Sequence, residues 1–504
     1  MFEESLIGLT ALMDPAMILA IAVGVIGGIL IGILPGLTST LGVALVIPIT
    51  FSMPPQVGLA MLGGIYVAST YSGAITAILL NIPGTPAAVA TLLDGYPMSE
   101  NGEPTRALAL ATFGSAVGGL ISVLALLLLG PILAKVSLFF GPPEYFLLAV
   151  FGITVIASLS AGAMIKGLMA GGIGLLMSTV GYHPLTGSMR FTFDIPALYD
   201  GIPLVAALIG FYSIPEVIDM IARRNDSAPD TTKSDKANPY AYFGEVLRQT
   251  KNLMRSSFIG VLVGIIPGVG ASVGGFVAYD SAKRSSKTPE QFGKGSPEGV
   301  LACETANNAV TGGTLIPLLT LGIPGNPVTA VMLGGLMIHG LQPGAELFTT
   351  NADIVFGFIF SLFVSNLLLI PIGLVFAKYC VKIVRVPKAI LAPIILLLSI
   401  VGTYSIRSSF DDILIMFVIG AIGFFCQRFS VPRAPLVLGL VLGRLAESEL
   451  ERSLALVGGD VGAFGLQLIT RPISLGLVLL SVYAVYQGVV QHKRHSRMLD
   501  NQDR

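Results

Sequence analysis

The sequence GILPGLTSTLG at residues 32–42 returns as GIIPGVGASVG at 264–274, and NIPGTP at 81–86 returns as GIPGNP at 322–327. Each copy puts a Pro-Gly pair inside strongly apolar sequence, where an ordinary membrane helix would run on. Proline donates no backbone hydrogen bond and glycine reaches backbone angles closed to other residues, so a helix stops at such a pair. In hydrocarbon an unpaired N–H or C=O is costly, and irregular backbone survives there only where it lines a cavity or is buried in protein. Two diverged copies of one interrupted helical design predict a secondary carrier built from structural repeats, with its substrate at the breaks.

Composition fixes the solvent. Of 504 residues, 53% are hydrophobic and 12% charged, against about a quarter charged in soluble domains; the chain belongs in a lipid bilayer. Apolar runs near the roughly 20 residues that cross a bilayer recur at 17–34, 57–80, 107–133, 145–159, 166–180, 202–221, 258–279, 300–321, 354–379, 390–403, 413–425 and 473–490. The expected fold is an all-α polytopic membrane protein with about 10–12 transmembrane helices plus re-entrant or broken helices, arranged as two inverted structural repeats.

The net charge of zero hides an asymmetry. Arg106, Lys135, Lys166 and Arg190 are the only basic residues before position 223, whereas 223–255 holds Arg223, Arg224, Lys233, Lys236, Arg248, Lys251 and Arg255. The positive-inside rule puts this linker and the basic tail HKRHSR at 492–497 in the cytoplasm, and the N-terminus, with Glu3, Glu4 and Asp14 but no Lys or Arg, outside. With no basic n-region at the start, no removable signal peptide is expected. The chain divides into a first transmembrane repeat at 1–222, a cytoplasmic basic linker at 223–255, a second transmembrane repeat at 256–443, and a terminal span with cytoplasmic tail at 444–504. The halves begin on opposite sides, as an inverted repeat requires. Lys283, Arg284, Lys287 and Lys294 follow the 258–279 run, so both its ends look cytoplasmic. A re-entrant hairpin with Pro267 and Gly268 at its tip accounts for this; the alternative is a kinked single span with one basic loop outside.

A half-helix that starts after a break points its positive dipole end and free N–H groups at the cavity, which suits a carboxylate. Carbonyls that end the preceding half-helix suit a small cation. The first break offers Gly36, Thr38, Ser39 and Thr40, and its repeat Gly268, Gly270 and Ser272; the second pair offers Asn81, Gly84 and Thr85, and Gly325 and Asn326. With Asn307 and Asn308, these are the expected substrate-binding residues. For any one motif the alternative is a plain kink whose hydroxyls bond back to their own helix; four motifs paired by position favour a site.

Asn307 and Asn308 lie in SPEGVLACETANNAVTGGT, residues 296–314, whose first-half counterpart is YVASTYSGAIT at 66–76. Ionisable residues at membrane depth are expensive, and amide and hydroxyl oxygens ligate hard cations. Glu304, Asn308 and Thr311 are therefore the expected coupling-ion residues. The alternative puts Glu304 at the cytoplasmic edge, solvated beside Glu298 and Lys294.

Cys303, Cys380 and Cys426 are scattered without metal-type spacing and the four histidines form no ligand cluster, so no metal is expected. No Ser/His/Asp or paired-carboxylate constellation suggests catalytic residues or an enzyme, and the G-x-x-x-x-G-K-[ST] phosphate loop is missing from the sequence. The chain is expected to need no cofactor beyond a coupling ion, Na⁺ or H⁺, and to bind no nucleic acid. A channel is the rival class, since it too exposes backbone at membrane depth, and a stand-alone carrier that needs no binding protein is the other alternative.

Over nearly its whole length the chain resembles the large permease subunit of tripartite tricarboxylate transporters, the TctA-type subunit. The resemblance rests on GILPGLTSTLG, on AITAILLNIPGTPAAVATLLDGYP at 74–97, on RFTF at 190–193 followed by DGI at 200–202, on EGVLACETANNA at 298–309, and on LGIPGNPVTAVMLGG at 321–335. Cys303 stands where the family usually has Pro, and His183 where an Asp is common; the Pro-Gly elements are untouched. The resemblance implies import of citrate or other carboxylates across the bacterial inner membrane, driven by an ion gradient. The implied partners are a periplasmic solute-binding protein and a small four-span membrane subunit. Alternating access of the broken-helix pairs against a scaffold of the other spans is the mechanism expected by analogy with other broken-helix carriers.

Substituting Asn308, or replacing Gly268 by a bulky residue, is expected to abolish carboxylate uptake while folded protein stays in the membrane. Wild-type uptake by both variants would overturn the assignment of the breaks as the site.

Overall fold

A computed structural model of the protein describes residues 8–34, 36–158, 164–183, 186–222, 237–267, 270–384 and 386–502. The first half contains α1 (Pro15–Ile33), α2 (Ser39–Phe51), α3 (Pro55–Leu80), α4 (Leu92–Glu100), α5 (Pro104–Ser137), α6 (Pro142–Ser158), α7 (Met164–Ser178) and α8 (Leu204–Ala222). The second contains α9 (Thr250–Ile265), α10 (Gly270–Ser285), α11 (Pro297–Leu321), α12 (Pro327–Ile338), α13 (Ala352–Val384), α14 (Lys388–Arg407), α15 (Phe410–Arg428) and α16 (Arg433–Leu456). Helices α17 (Val461–Thr470) and α18 (Pro472–Gln502) follow. Between α7 and α8, strand β1 (Gly181–Tyr182) pairs antiparallel with β2 (Met189–Arg190).

Among the described residues, seven helices are long and apolar enough to cross a membrane, or up to eight if α16 and α17, bent by 102°, form one broken span. Four shorter apolar helices accompany them. The chain is an all-α polytopic membrane protein. Segments counted as full runs in the sequence are divided at the breaks: the 258–279 run falls across α9 and α10, each 16 residues long.

Local chemistry explains where helices start and stop. The Asp14 side chain accepts from Ala16 N–H and Pro15 opens α1; Ser296 and Pro297 do the same for α11, a polar cap followed by the one residue that needs no N–H acceptor. At the stops the two halves use matching backbone. The residue after α1, Leu34, has φ −81° and ψ 112°, and that after α9, Ile266, has φ −79° and ψ 112°. Helix α3 closes on Asn81 at φ 57° and α11 on Gly322 at φ 70°. In both, the next N–H reaches six residues back, Ile82 to the Thr76 carbonyl and Ile323 to the Pro317 carbonyl, so a carbonyl left over at the helix end is met across the left-handed residue.

The first break of each half is a hairpin tip. Gly42 lies directly against the Ile31 side chain, and Gly274 sits beside Val263. Residues eleven apart in a continuous helix are about 16 Å apart, so α2 folds back on α1 and α10 on α9, and the kinked-span alternative falls. The third helix of each half then runs parallel to the first. Gly24, Gly28 and Gly32 of α1 meet the backbone of Met61, Ile65 and Ser69 in turn, and Gly260 and Gly264 of α9 meet Ala306 and Val310. Glycines at four-residue spacing let helices close up where lipid offers no hydrophobic drive to associate.

The halves exchange partners. Helix α5 packs along α11 while its counterpart α13 packs along α3; α16 lies on α6 and α7 while α8 lies on α14 and α15. Asp94 of α4 clasps the halves together: its Oδ1 accepts the N–H groups of Gly293, Gly295 and Ser296 at 2.8, 2.9 and 2.8 Å, just before α11 begins. Within each half the two breaks touch, since a Cβ at Gly84 would collide with the Gly32 carbonyl and one at Gly325 would lie 3.0 Å from the Gly264 carbonyl.

Gly84→Val is therefore expected to lower the melting temperature of the purified protein and its yield of monodisperse material, because the obstacle is backbone that cannot swing aside. Asp94→Ala, which strips the acceptor from the buried Ser296 N–H and its two neighbours, should cost about 2 kcal/mol or more, read as a lowered thermal midpoint. A wild-type midpoint for either variant would refute the packing described for it.

Candidate functional site: polar clusters at the helix breaks

Helix α11 carries the polar run of the second half, and all of it is inside the protein. Glu304, Asn307 and Asn308 are each 0% exposed and Thr311 is 1% exposed. Glu304 is thus buried, not solvated beside Glu298 and Lys294 at the edge. Its Oε1 accepts from the Thr91 hydroxyl and from Asn307 Nδ2 at 3.2 Å; its Oε2 accepts from Ser115 Oγ at 3.0 Å. Thr91 and Ser115 both belong to the first half. Among the described residues the carboxyl has no ion-pair partner, so the hydroxyls and the amide are what hold it.

Asn307 donates its other Nδ2 hydrogen to the Ala87 carbonyl at 2.8 Å, in the short 3₁₀ turn Pro86–Val89 that follows the first half's second break. Ser272 of α10 donates to the Pro86 carbonyl of the same turn at 2.8 Å. Two residues of the second half thus satisfy carbonyls freed by the break in the first. The reverse contact also exists. Tyr66 of α3 is 2% exposed; its hydroxyl meets Thr314 Oγ1 at 2.9 Å and accepts from Asn326 Nδ2 at 2.7 Å, at the second half's break. Aligned on Pro83 and Pro324, Tyr66 and Asn307 occupy the same position in their halves. Each half sends one polar side chain from that position to the other half's break. Tyr66 reaches toward Thr314 and Asn326 as Asn307 reaches toward Ala87, so the two contacts mirror each other across the halves.

Satisfied groups are only part of the site. Thr85 Oγ1, Asn307 Oδ1, Thr305 Oγ1 and both polar atoms of Asn308 are buried with no hydrogen-bond partner. A buried polar group left unmade costs about 1–3 kcal/mol, and native interiors seldom carry several together without an ion, water or ligand to meet them. Glu304, Asn307 and Asn308 fall within one turn of α11, Asn307 turning its Nδ2 to the carboxyl and its Oδ1 toward Gly275. That arrangement suits a proton or a small hard cation, which takes several oxygen ligands.

The remaining expected residues fall in three groups. Thr85, Ser272, Asn307 and Glu304 are brought together at the first half's break, and Gly84 and Gly325 lie in the contacts between breaks. Asn326 sits at the other break as the N-cap of α12, its Oδ1 taking the Thr329 N–H at 2.9 Å in a capping box. Thr38 caps α2 in the same manner through Leu41 N–H at 3.2 Å, and Ser39 and Thr40 are buried in its first turn. The N-termini of α2 and α12, at two of the breaks expected to bind substrate, thus already hold a polar side chain of their own. Asn81 and Gly270 serve as left-handed turns, as does Gly36 at φ 95°. Thr311 donates to the Asn308 carbonyl at 2.6 Å. Gly268 lies outside the described residues.

Thr91 and Ser115 were not picked out from sequence; Tyr66 and Thr314 lie at the ends of the two polar runs that were, without a role assigned to either. Aligning the halves on Pro83 and Pro324 sets Tyr66 against Asn307, a signal open to a reader of the sequence. Thr91 and Ser115 join Glu304 only through the exchange of α5 and α11, which no local pattern announces.

A family model described as "Tripartite tricarboxylate transporter TctA family" matches residues 18–438. The chain is 36% identical over 491 residues to the "Uncharacterized 52.8 kDa protein in TAR-I ttuC' 3'region" of Agrobacterium vitis, with 97% of each chain covered. It is 36% identical over 238 residues to the "Uncharacterized protein in TAR-II ttuC' 3'region" of the same organism, covering 47% of this chain and 97% of that one. No solved structure matches. Doubled helix breaks, buried polar clusters at membrane depth and a match over most of its length lead to one statement: the chain belongs to the tripartite tricarboxylate transporter TctA family.

Proposed function

We propose that the protein is the large translocating subunit of a binding-protein-dependent secondary transporter that imports tricarboxylates, citrate-like or related, by ion-coupled alternating access, and that it catalyses no chemical reaction. The observation that carries this is the pairing of a fully buried, uncompensated Glu304 with unmet oxygens on Asn307 and Asn308, at a helix break held by the opposite half. A site made jointly by two halves changes when they move against each other, the property a coupled carrier needs.

Under this proposal Glu304, Asn308 and Thr311 hold Na⁺ or H⁺. Thr85, Asn307 and Ser272 at one break, and Thr38 to Thr40 with Asn326 at the other, face the carboxylate, which displaces the N-caps of α2 and α12 when it binds. The family's tripartite name supports two partners, a periplasmic solute-binding protein and a small four-span membrane subunit. The location is the bacterial inner membrane, with the N-terminus periplasmic and the C-terminus cytoplasmic, as the positive-inside rule supports.

Proteoliposomes containing the membrane subunits test this directly. Radiolabelled citrate uptake, measured with and without the binding protein under imposed Na⁺ or H⁺ gradients, is expected to require both the binding protein and one of the two gradients. Uptake indifferent to gradient and binding protein would identify a channel instead. Glu304→Gln keeps the hydrogen-bonding shape but cannot carry charge, and is expected to remove gradient-driven uptake while leaving exchange of citrate across the membrane measurable. Unaltered gradient-driven uptake by that variant would remove Glu304 from the coupling site.

A further inference from the structure

The motifs RFTF and DGI lie far from the breaks in sequence and play no part in the clusters described above. The structure gives them a shared task. His183, Arg190 and the Asp200–Gly201 pair meet one face of α16, at positions 451, 447 and 444. Arg190 donates to both carboxylate oxygens of Glu447, at 2.5 and 3.0 Å. His183 Nε2 lies 2.5 Å from Glu451 Oε1. Arg444 Nη2 donates to the Asp200 carbonyl at 2.6 Å. Gly201, at φ 86°, leaves the space that the guanidinium fills, because a Cβ there would collide with Arg444 Nη2. The glycine of DGI is thus needed twice, for its backbone angle and for its missing side chain.

This holder aims Arg444 into open space. A cavity of about 620 Å³ is lined by Arg444 and Arg452 of α16, by Tyr145, and by Leu321 and Gly322 where α11 ends at the second half's break. That volume lies within the roughly 300–1,000 Å³ of small-molecule sites. A second cavity of about 220 Å³, reaching Asp200 and Arg407, shares the Arg444 wall. The other cations are already matched: Arg407 bonds both oxygens of Asp412, Arg452 bonds Glu449 at 2.9 Å, and Glu447, one turn from Arg444, is held by Arg190. Among the described residues Arg444 has no carboxylate within ion-pair distance. The acidic groups of the larger cavity's wall are Glu346, which is exposed, and Glu449, which is bonded to Arg452.

We propose that Arg444 is a carboxylate-binding residue, which receives the anionic substrate in the larger cavity on its way to or from the second break. With one Nη2 hydrogen committed to Asp200, the rest of the guanidinium keeps donors free for a two-point bond to a carboxylate, the geometry at which arginine excels. The RFTF and DGI motifs are positioning elements for that arginine. This inference rests on the proposed transport of carboxylates and adds to it a residue outside the helix breaks.

The test uses the assembled transporter in proteoliposomes, with citrate, isocitrate, malate and succinate as labelled probes. For the probe the wild type takes up best, Arg444→Gln is expected to raise the half-saturating concentration about tenfold or more, Arg444→Lys to raise it less, and Gly201→Ala to shift it the same way. A charge-rescue pair guards against misfolding. In a Cys426→Ser background, where Cys303 and Cys380 are buried, Arg444→Cys is modified with aminoethyl or methyl methanethiosulfonate. Recovery of uptake with the cationic adduct alone supports the proposal, since both adducts sit on the same folded protein. Equal recovery with the neutral adduct, or an Arg444→Gln variant with wild-type half-saturation, overturns it while leaving carboxylate transport intact. A wild type that takes up none of the four probes under any gradient sinks the transport proposal and this one together.

Discussion

Every backbone polar group inside a bilayer must find a partner within the protein, and a helix that stops at membrane depth leaves up to four carbonyls or N–H groups without one. The arrangement of this chain follows from how it meets that demand. Some groups are closed locally, by the left-handed turns at Asn81 and Gly322 and by the caps of Thr38 and Asn326. Others are met from across the molecule: the carbonyls of Pro86 and Ala87 take their hydrogen bonds from Ser272 and Asn307 of the other half. A broken helix here is stable only because a second copy of the same design lies against it.

Close approach makes that possible. Gly24, Gly28, Gly32, Gly260 and Gly264 remove the side chains that would hold α1 from α3 and α9 from α11, and dispersion between touching backbones then does what the hydrophobic effect cannot do in lipid. The breaks can lie so near each other because Gly84 and Gly325 offer nothing to collide with. Packing and polar satisfaction are therefore one problem, and the glycines solve it for both. The polar atoms left unmet, on Asn308, Asn307, Thr305 and Thr85, stand out because so much around them is satisfied.

A good part of this was legible in the sequence. Doubled Pro-Gly motifs gave the repeats, and basic residues on both flanks of 258–279 gave the hairpin, which Gly274 beside Val263 now shows. The polar run of α11 marked Glu304, Asn307 and Asn308 as residues of one region. What stayed hidden was everything set by long-range packing. Thr91 and Ser115 look like ordinary helix hydroxyls until α5 and α11 are brought together, and DGI looks like a turn until Arg444, more than two hundred residues later, is laid against it. Hydropathy also read 258–279 as one run, where the structure has two helices, because an apolar run reads the same whether it continues or folds back on itself.

The reciprocal donation at the breaks bears on how such a chain is made. The first half is synthesised and enters the membrane before α11 exists, so the Pro86 and Ala87 carbonyls and the hydroxyls of Thr91 and Ser115 must wait, at membrane depth, for partners still inside the ribosome. Neither half has its polar groups matched alone. The first must be held near water or within the insertion machinery until the second arrives, and assembly of the two halves is the step at which this protein first becomes at home in lipid.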